Sequence, residues 1–391
     1  MTTAYLDNAA TTPVCKEAAE AAYRVMTEGY GNPSAQYSLG QQAKKQLDSD
    51  RKIVAAALGC QPKELIFTSC GTESDNWALR LGADRNRHKG RHIITTAIEH
   101  DAVLQTCHQL EAEGWEVTYL PPNREGSVSL ADLEAALRPE TALVSMMLVN
   151  NELGTLLPVR EAAALVKKYD RRILFHTDAV QGFLKVPFTP AKLGVDLLTI
   201  SGHKVHAPKG IGALYIRSGL PLKPMILGGG QENGLRSGTE PTAQIAAFAA
   251  ACQVGKAQLP DTAAYLQDLK TYTLERLRVE VPQAEQIGCG EAPQAEQIGC
   301  GEAPHILALT LPGYKSEVLV RVLGDQGVYI SAGSACHRGK ASHVYEALSL
   351  SKPQRNGAFR VSFDRSTSRE EVDAFVAALK HARDTLFPSM S

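Results

Sequence analysis

A lysine stands at position 204 inside the stretch 195–216, VDLLTISGHKVHAPKGIGALYI. The short apolar run Leu197, Leu198 and Ile200 is bounded by turn residues and predicts a buried strand. Ser201 and Gly202 break that run, and a glycine-rich segment leads into a second one, 211–216. A lysine fixed just past a buried strand has a short anchor and a partly dry setting. Both favour the neutral amine, which can form a Schiff base. A surface lysine following a strand is the plain alternative, and this stretch by itself does not separate the two.

The residues after the other apolar runs extend the pattern. After IFTS come Cys70, Gly71, Thr72, Glu73 and Ser74, opening a helix whose free N–H groups and hydroxyls suit a phosphate. After HIITT comes Glu99-His100; after SMMLV come Asn150 and Asn151. After ILF come His176, Thr177 and Asp178, then Gln181, and after LLTI come Ser201, His203 and Lys204. Each has an unremarkable alternative: Thr72 or Asp178 as a helix cap, His100 as a satisfied loop histidine. Taken together they supply an anion cradle, an imidazole, an amide, a carboxylate and a lysine. That is the set pyridoxal 5′-phosphate requires, for its phosphate, ring face, ring oxygen, pyridine nitrogen and aldehyde respectively.

These residues converge only if the strands lie side by side and point the same way. Strands are predicted near 64–69, 92–96, 115–120, 142–148, 172–175 and 197–200, with helical patterns such as 103–113 and 159–169 between most of them. Two helices precede the alternation, from about Pro13 to Glu28 and from about Gln41 to Leu58. Such alternation predicts an α/β fold, a mainly parallel sheet sandwiched by helices, with ligands at the carboxyl ends of its strands. Beyond Pro241 the pattern is helical, over 242–255 and 262–279, and then mixed, with strands near 306–311, 328–331 and 359–363. The expected organisation is a large cofactor-binding domain over 15–255 and a smaller α+β domain made of 1–14 and 256–391.

The totals narrow the function class. The chain has 391 residues, 44% hydrophobic and 21% charged, and a net charge of −1. No block of Lys and Arg suggests a nucleic acid, and no apolar run reaches the roughly 18 residues that span a bilayer. The N-terminus MTTAYLDNAATTP has neither the basic region nor the apolar core of a signal peptide, so a cytoplasmic location is expected. Eight cysteines without a CxxC pair read as reduced thiols, and no metal site is expected. Cys336 differs from the rest. Its segment SAGSACHRGKAS is rich in small residues, and His337, Arg338 and Lys340 would favour the thiolate.

The motifs YLDNAATTP, FTSCGTESDN, VNNELG, HTDAVQ, SGHKVHAPKGIGALY, GGGQENGLRSGTEP and SAGSAC run nearly end to end. In that order they resemble the cysteine desulfurases, of the fold-type I, class V aminotransferase-like group of pyridoxal-phosphate enzymes. The resemblance implies that Lys204 is the Schiff-base lysine and proton carrier, and that Asp178 faces the pyridine nitrogen. It implies that Gln181 bonds the ring oxygen and that His100 stacks on the ring and shuttles a proton. Thr72, Ser201 and His203 would hold the phosphate, with Gly71 allowing close backbone approach. Asn151 would contact cofactor or substrate, Arg360 would grip the substrate carboxylate, and Asn32 lies in the loop that closes on it. Thr239 would be lent to the phosphate by a neighbouring subunit, which implies a homodimer. Cys336 would take sulfur from L-cysteine as a persulfide, leave L-alanine, and pass the sulfur to an acceptor or iron–sulfur scaffold protein. A selenocysteine lyase or other lyase of the same fold is the alternative enzyme, and a non-catalytic binding member the alternative outside enzymes. SAGSAC argues against the first, and the retained Lys204, Asp178, His100, Arg360 and Cys336 against the second. The spacing from Cys336 to Ser342 is slightly short for the family, and the C-terminus LFPSMS shows no docking tail, so the acceptor's identity stays open.

One feature lies outside any family pattern. Residues 282–292, PQAEQIGCGEA, recur letter for letter as 293–303. An odd-length insertion inside a strand would turn every later side chain to the wrong face, so one copy must loop out. The expectation is that the second copy takes the native path and the first bulges, exposing Cys289 more than Cys300.

Overall fold

The computed structural model describes residues 3–288, 301–333 and 342–388. The apolar runs become a seven-stranded sheet: β1 (Leu65–Thr68), β2 (His92–Thr96), β3 (Glu116–Leu120), β4 (Thr141–Ser145), β5 (Leu174–Asp178), β6 (Leu197–Ser201) and β7 (Gly212–Ile216). Their order across the sheet is β1-β7-β6-β5-β4-β2-β3. Every strand except the edge strand β3 is buried along its whole length, which is why these runs do not alternate apolar with exposed polar residues. All neighbouring pairs are parallel apart from those that β7 makes with β6 and β1. β7 reverses because the chain returns from β6 through the Lys204 turn with no crossover helix.

Ahead of the sheet come α1 (Lys16–Thr27) and α2 (Ser38–Leu58); among its connections are α3 (Gly71–Arg85), α4 (Asp101–Ala112) and α5 (Val159–Tyr169). The left-handed Gly59 (φ 79°) ends α2 as a C-cap. Where two helices were expected after Pro241, one helix, α6 (Thr242–Glu280), runs through Pro260. A proline there removes one backbone bond, a real cost. Burial at both ends outweighs it. Ile245, Phe248 and Cys252 join the core around the sheet, while Leu266, Leu269 and Leu277 join a second core.

That second core contains Ala4 and Leu6 together with β9 (Ile306–Thr310), β10 (Ala358–Ser362), α7 (Ser316–Asp325) and α8 (Arg369–Thr385). β10 lies antiparallel to β9, whose other edge pairs with β8 (Glu285–Gln286). Ala9 belongs to the core around the sheet, so the chain between Leu6 and Ala9 bridges the two. Among the described residues no helix is long and apolar enough to cross a membrane.

The expectation that the first copy of the duplicated segment bulges is not met at its start. The start of the first copy is the packed one: Glu285 and Gln286 pair with Thr310 and Leu309, and the buried Ile287 donates its N–H to Ala308 O at 3.0 Å. The end of the second copy is packed as well, with Gly301 and Glu302 antiparallel to Leu156 and Thr155. Gln286 Nε2 donates to both carboxylate oxygens of Glu302, at 3.0 and 3.1 Å. The first copy follows directly from α6, which ends at Glu280, and its Glu285–Gln286 takes the strand position. Residues 289–300, with Cys289 and Cys300, lie outside the described residues.

Candidate functional site

The carboxyl ends of the central strands deliver their side chains to one cavity of about 220 Å³. Asp178 ends β5, Ser201 ends β6, His100 follows β2, and Gly71 opens α3 just past β1. Thr72, Asn151, Gln181, His203, Lys204 and Arg360 line the same cavity. Of the described residues expected at the cofactor or substrate, only Asn32 and Thr239 are not among its walls.

Lys204 projects from the turn between β6 and β7, and residues 9–15 clasp that turn. Its Nζ donates to the carbonyls of Ala9 (2.6 Å) and Ala10 (2.8 Å). Thr12 N and Cys15 N donate to the carbonyls of His203 and His206, both at 3.0 Å. His206 takes φ 67°, a left-handed conformation unfavourable for a residue with a Cβ. The bond from its N–H to Thr12 Oγ1 (2.8 Å) helps hold it there. The amine is thereby fixed in direction as well as in place.

Asp178 is 6% exposed, and its Oδ1 accepts the Val180 N–H at 2.8 Å. Burial pushes its carboxyl up, against the pull of His100, that same hydrogen bond and Lys204. A cation beside it, such as a pyridinium, would favour the carboxylate further. His100 caps the N-terminus of α4, its Nδ1 accepting the Ala102 N–H at 3.1 Å. The proton of the neutral ring therefore sits on Nε2. Burial lowers its pKa while Asp178 opposes, so the ring is biased toward neutrality.

The site fits pyridoxal 5′-phosphate on its own geometry. No side chain caps α3, so its first N–H groups are open to an anion. A Cβ on Gly71 would come within 2.9 Å of Val180 Cγ2, which restricts that position to glycine. Ser201 Oγ and Asn151 Oδ1 are buried without a hydrogen-bond partner, one suited to a phosphate oxygen and the other to a donor on the ligand. Gln181 Nε2 donates to Ala9 O at 2.9 Å, and His203 Nδ1 lies 3.2 Å from Thr11 Oγ1. Burial brings the His203 pKa down to about 4.

Arg360, on β10, is 1% exposed. Its Nη1 donates to Asn151 O at 2.6 Å and its Nη2 to Asp7 Oδ1 at 2.8 Å. Asn32 does not reach the cavity: it is exposed, and its Oδ1 accepts the N–H of Ser34 at 2.9 Å, serving its own turn. Thr239 is exposed beside a neighbouring cavity of about 240 Å³ with Glu232 and Arg236. Arg236 in turn pairs with Glu73 in the first turn of α3 at 2.9 Å. Cys336 lies outside the described residues. The chain flanking it is anchored at the site, because Ser342 Oγ donates to the buried Glu152 at 2.6 Å and His343 Nε2 lies 2.9 Å from Glu99 O.

Reading strand ends missed four contributing residues. Asp7 and the carbonyls of Ala9 and Ala10 belong to YLDNAATTP, a motif noticed in the sequence but given no role there. Asp75, 1% exposed on α3, also lines the cavity. Its carboxyl is raised chiefly by burial and next by Asp178.

Residues 4–375 match the class-V aminotransferase family. The chain is 41% identical over 371 residues to a cysteine desulfurase IscS of Methanosarcina thermophila, covering 94% of this chain and 89% of that one. It is 39% identical over 384 residues to a cysteine desulfurase of Trichormus azollae, covering 97% and 92%. A solved structure described as a NifS-like protein superposes with a TM-score of 0.91 at 36% identity, covering 98% of this chain and 100% of that one. SspA, solved in complex with cysteine, superposes at 0.79 with 34% identity, covering 94% and 100%.

Proposed function

The chain belongs to the class-V aminotransferase family and, within it, to the cysteine desulfurases; we propose that Lys204, His100 and Cys336 are its reacting groups. Cysteine desulfurases are pyridoxal-phosphate enzymes that convert L-cysteine to L-alanine and pass its sulfur on. The observation that carries the assignment of roles is the meeting of strand-end groups from β2, β5 and β6 with the start of α3 and Arg360 on one cavity.

When bound, pyridoxal phosphate supplies an electron sink for the carbanion left as Cα loses its proton. Arg360 orients the substrate through its carboxylate, a contact for which a planar fork is well shaped. Lys204 attaches the cofactor and, once displaced, moves the Cα proton. The carbonyls of Ala9 and Ala10 keep it within one small volume. Asp178 places negative charge at the ring nitrogen, and His100 offers its Nε2 proton on the ring face. Thr72, Ser201, His203 and the first turn of α3 hold the phosphate. The Cys336 thiolate attacks the substrate sulfur, so an S–S bond forms as the Cβ–S bond breaks. The electron pair passes to Cβ, which takes a proton and becomes the methyl of alanine, and no outside oxidant is needed. The persulfide then passes to an acceptor protein, for which an iron–sulfur scaffold is the reading adopted. The working unit is a cytoplasmic homodimer in which Thr239 is lent across the interface.

The test is made on the purified protein with its cofactor. L-cysteine should shift the visible absorbance and yield alanine and enzyme-bound sulfane sulfur in equal amounts. Lys204→Ala should lower alanine formation by at least ~10³-fold with the thermal melt retained. Cys336→Ser should still show the shift but carry no sulfane sulfur. Wild-type turnover in the first variant, or label on another cysteine in the second, overturns the assignment of roles.

A further inference from the structure

Arg360 does not present an open fork to its substrate. It is 1% exposed, its Nη1 is taken by Asn151 O, and its Nη2 meets the carboxylate of Asp7 at 2.8 Å. Nε is buried with no partner. A carboxylate arriving from the cavity therefore meets a guanidinium whose Nη1 is already bonded and whose Nη2 already faces one negative group. Asp7 is no incidental surface acid, since its side chain is only 20% exposed. Its own backbone is pinned: Asp7 O accepts from Ala10 N at 3.0 Å, and Asp7 bridges to Ser362, two residues beyond Arg360. The ion pair thus spans the segment that joins the two cores and also holds Lys204.

We propose that Asp7 is a built-in competitor for the substrate carboxylate, a positioning residue that weakens the grip of Arg360 on L-cysteine and L-alanine alike. This rests on the reading of Arg360 as the carboxylate-binding arginine. Two carboxylates on one buried guanidinium repel each other, and displacing Asp7 forfeits an existing charge-assisted bond. Either way substrate and product lose the same increment. A uniform loss of this kind raises KM and speeds product departure without altering the chemical step. The product makes the requirement concrete, because L-alanine carries the same carboxylate as L-cysteine and must leave through the same contact.

The experiment compares Asp7→Asn, Asp7→Glu and Arg360→Gln as cofactor-loaded enzymes. For Asp7→Asn the KM for L-cysteine and the dissociation constant for L-alanine, the latter by equilibrium dialysis, should both fall by about fivefold or more. Cysteamine, which has no carboxylate, should bind as it does to wild type. Asp7→Glu restores the charge and should bring both constants back toward wild type. Should a thermal melt show that Asp7→Asn does not fold, Asp7→Ser leaves room for water at the guanidinium and carries the same comparison. Constants that rise or stay unchanged in the folded Asp7 variant, while Arg360→Gln raises the KM for L-cysteine, overturn the role of Asp7 alone. An Arg360→Gln enzyme with unchanged KM overturns the carboxylate reading beneath it. A parallel shift for cysteamine also overturns the proposal, because the effect would then not act through the carboxylate.

Discussion

Glu99 stands one residue before His100 and is wholly buried. Its Oε1 accepts from Thr96 Oγ1 and from Met147 N, both at 2.9 Å, while Oε2 has no partner. Burial pushes its pKa up to about 8, against these two hydrogen bonds. The unfolded chain keeps a value near ~4.3. A folded pKa raised above the unfolded one means that Glu99's contribution to stability is complete below the unfolded value. That contribution is then lost progressively as pH climbs through the folded one. Glu99→Gln stays neutral throughout and escapes the loss. Its melting temperature minus that of wild type should therefore grow from pH 5 to pH 8 and then level off. A difference flat across that range means that Glu99 does not titrate there. Glu99 also shows what single residues in the sequence disclose. Lys204, Asp178 and His100 were legible because reactive side chains after apolar runs are unusual. The buried state of Glu99 and the carbonyls holding Lys204 were not, because burial and backbone acceptors depend on what packs from elsewhere in the chain.

At the scale of elements, the duplicated segment tests how far a local insertion disturbs the site. The described ends of the two copies together keep the geometry of one. Gln286 and Glu302 are hydrogen-bonded, and Lys270 of α6 reaches Glu302 at 2.5 Å. β8 and the Gly301–Glu302 pair are each registered on a different strand. Deleting residues 289–299 joins Gly288 to Cys300 and leaves a single PQAEQIGCGEA. Loop length enters stability only logarithmically, about 0.6 kcal/mol per doubling. The shortened chain should melt no lower than wild type and desulfurate L-cysteine at a rate within about twofold. A tenfold loss of activity would show that the extra copy has been drawn into the site. The strand carrying Glu285 and Gln286 was not foreseen, because identical copies give no sequence signal for which half will pair. The long helix α6 was missed for a related reason. Pro260 argues locally for a break, whereas the two cores that hold the helix together are formed by distant segments. Short runs with an apolar centre bounded by turn residues carry their own signal, which is why the sheet was legible and its partners were not.

At the scale of the whole molecule, one expected group stands apart from the rest. Within a single chain Thr239 is exposed beside the cavity of Glu232 and Arg236, while Thr72, Ser201 and His203, the groups proposed for the phosphate, line another cavity. The Arg236–Glu73 ion pair ties the segment carrying Thr239 to the first turn of α3, so both lie at the same end of that helix. A hydroxyl in this position serves a neighbouring subunit's phosphate if two chains meet there face to face, as a two-fold interface requires. The arrangement can be tested without a structure of the dimer. Thr239→Asp sets a carboxylate against the phosphate of the site it serves, and Lys204→Ala disables the site of its own chain. Each homodimer should be nearly inactive. In a mixed dimer one site draws Lys204 from the first chain and Thr239 from the second, so it contains neither change, while the other site contains both. Random exchange of equal amounts places half of the molecules in mixed dimers, each with one sound site, and about a quarter of wild-type activity should return. If Thr239 acts within its own chain, every site in the mixture keeps a defect and no activity returns, even when mass spectrometry shows that the subunits have exchanged.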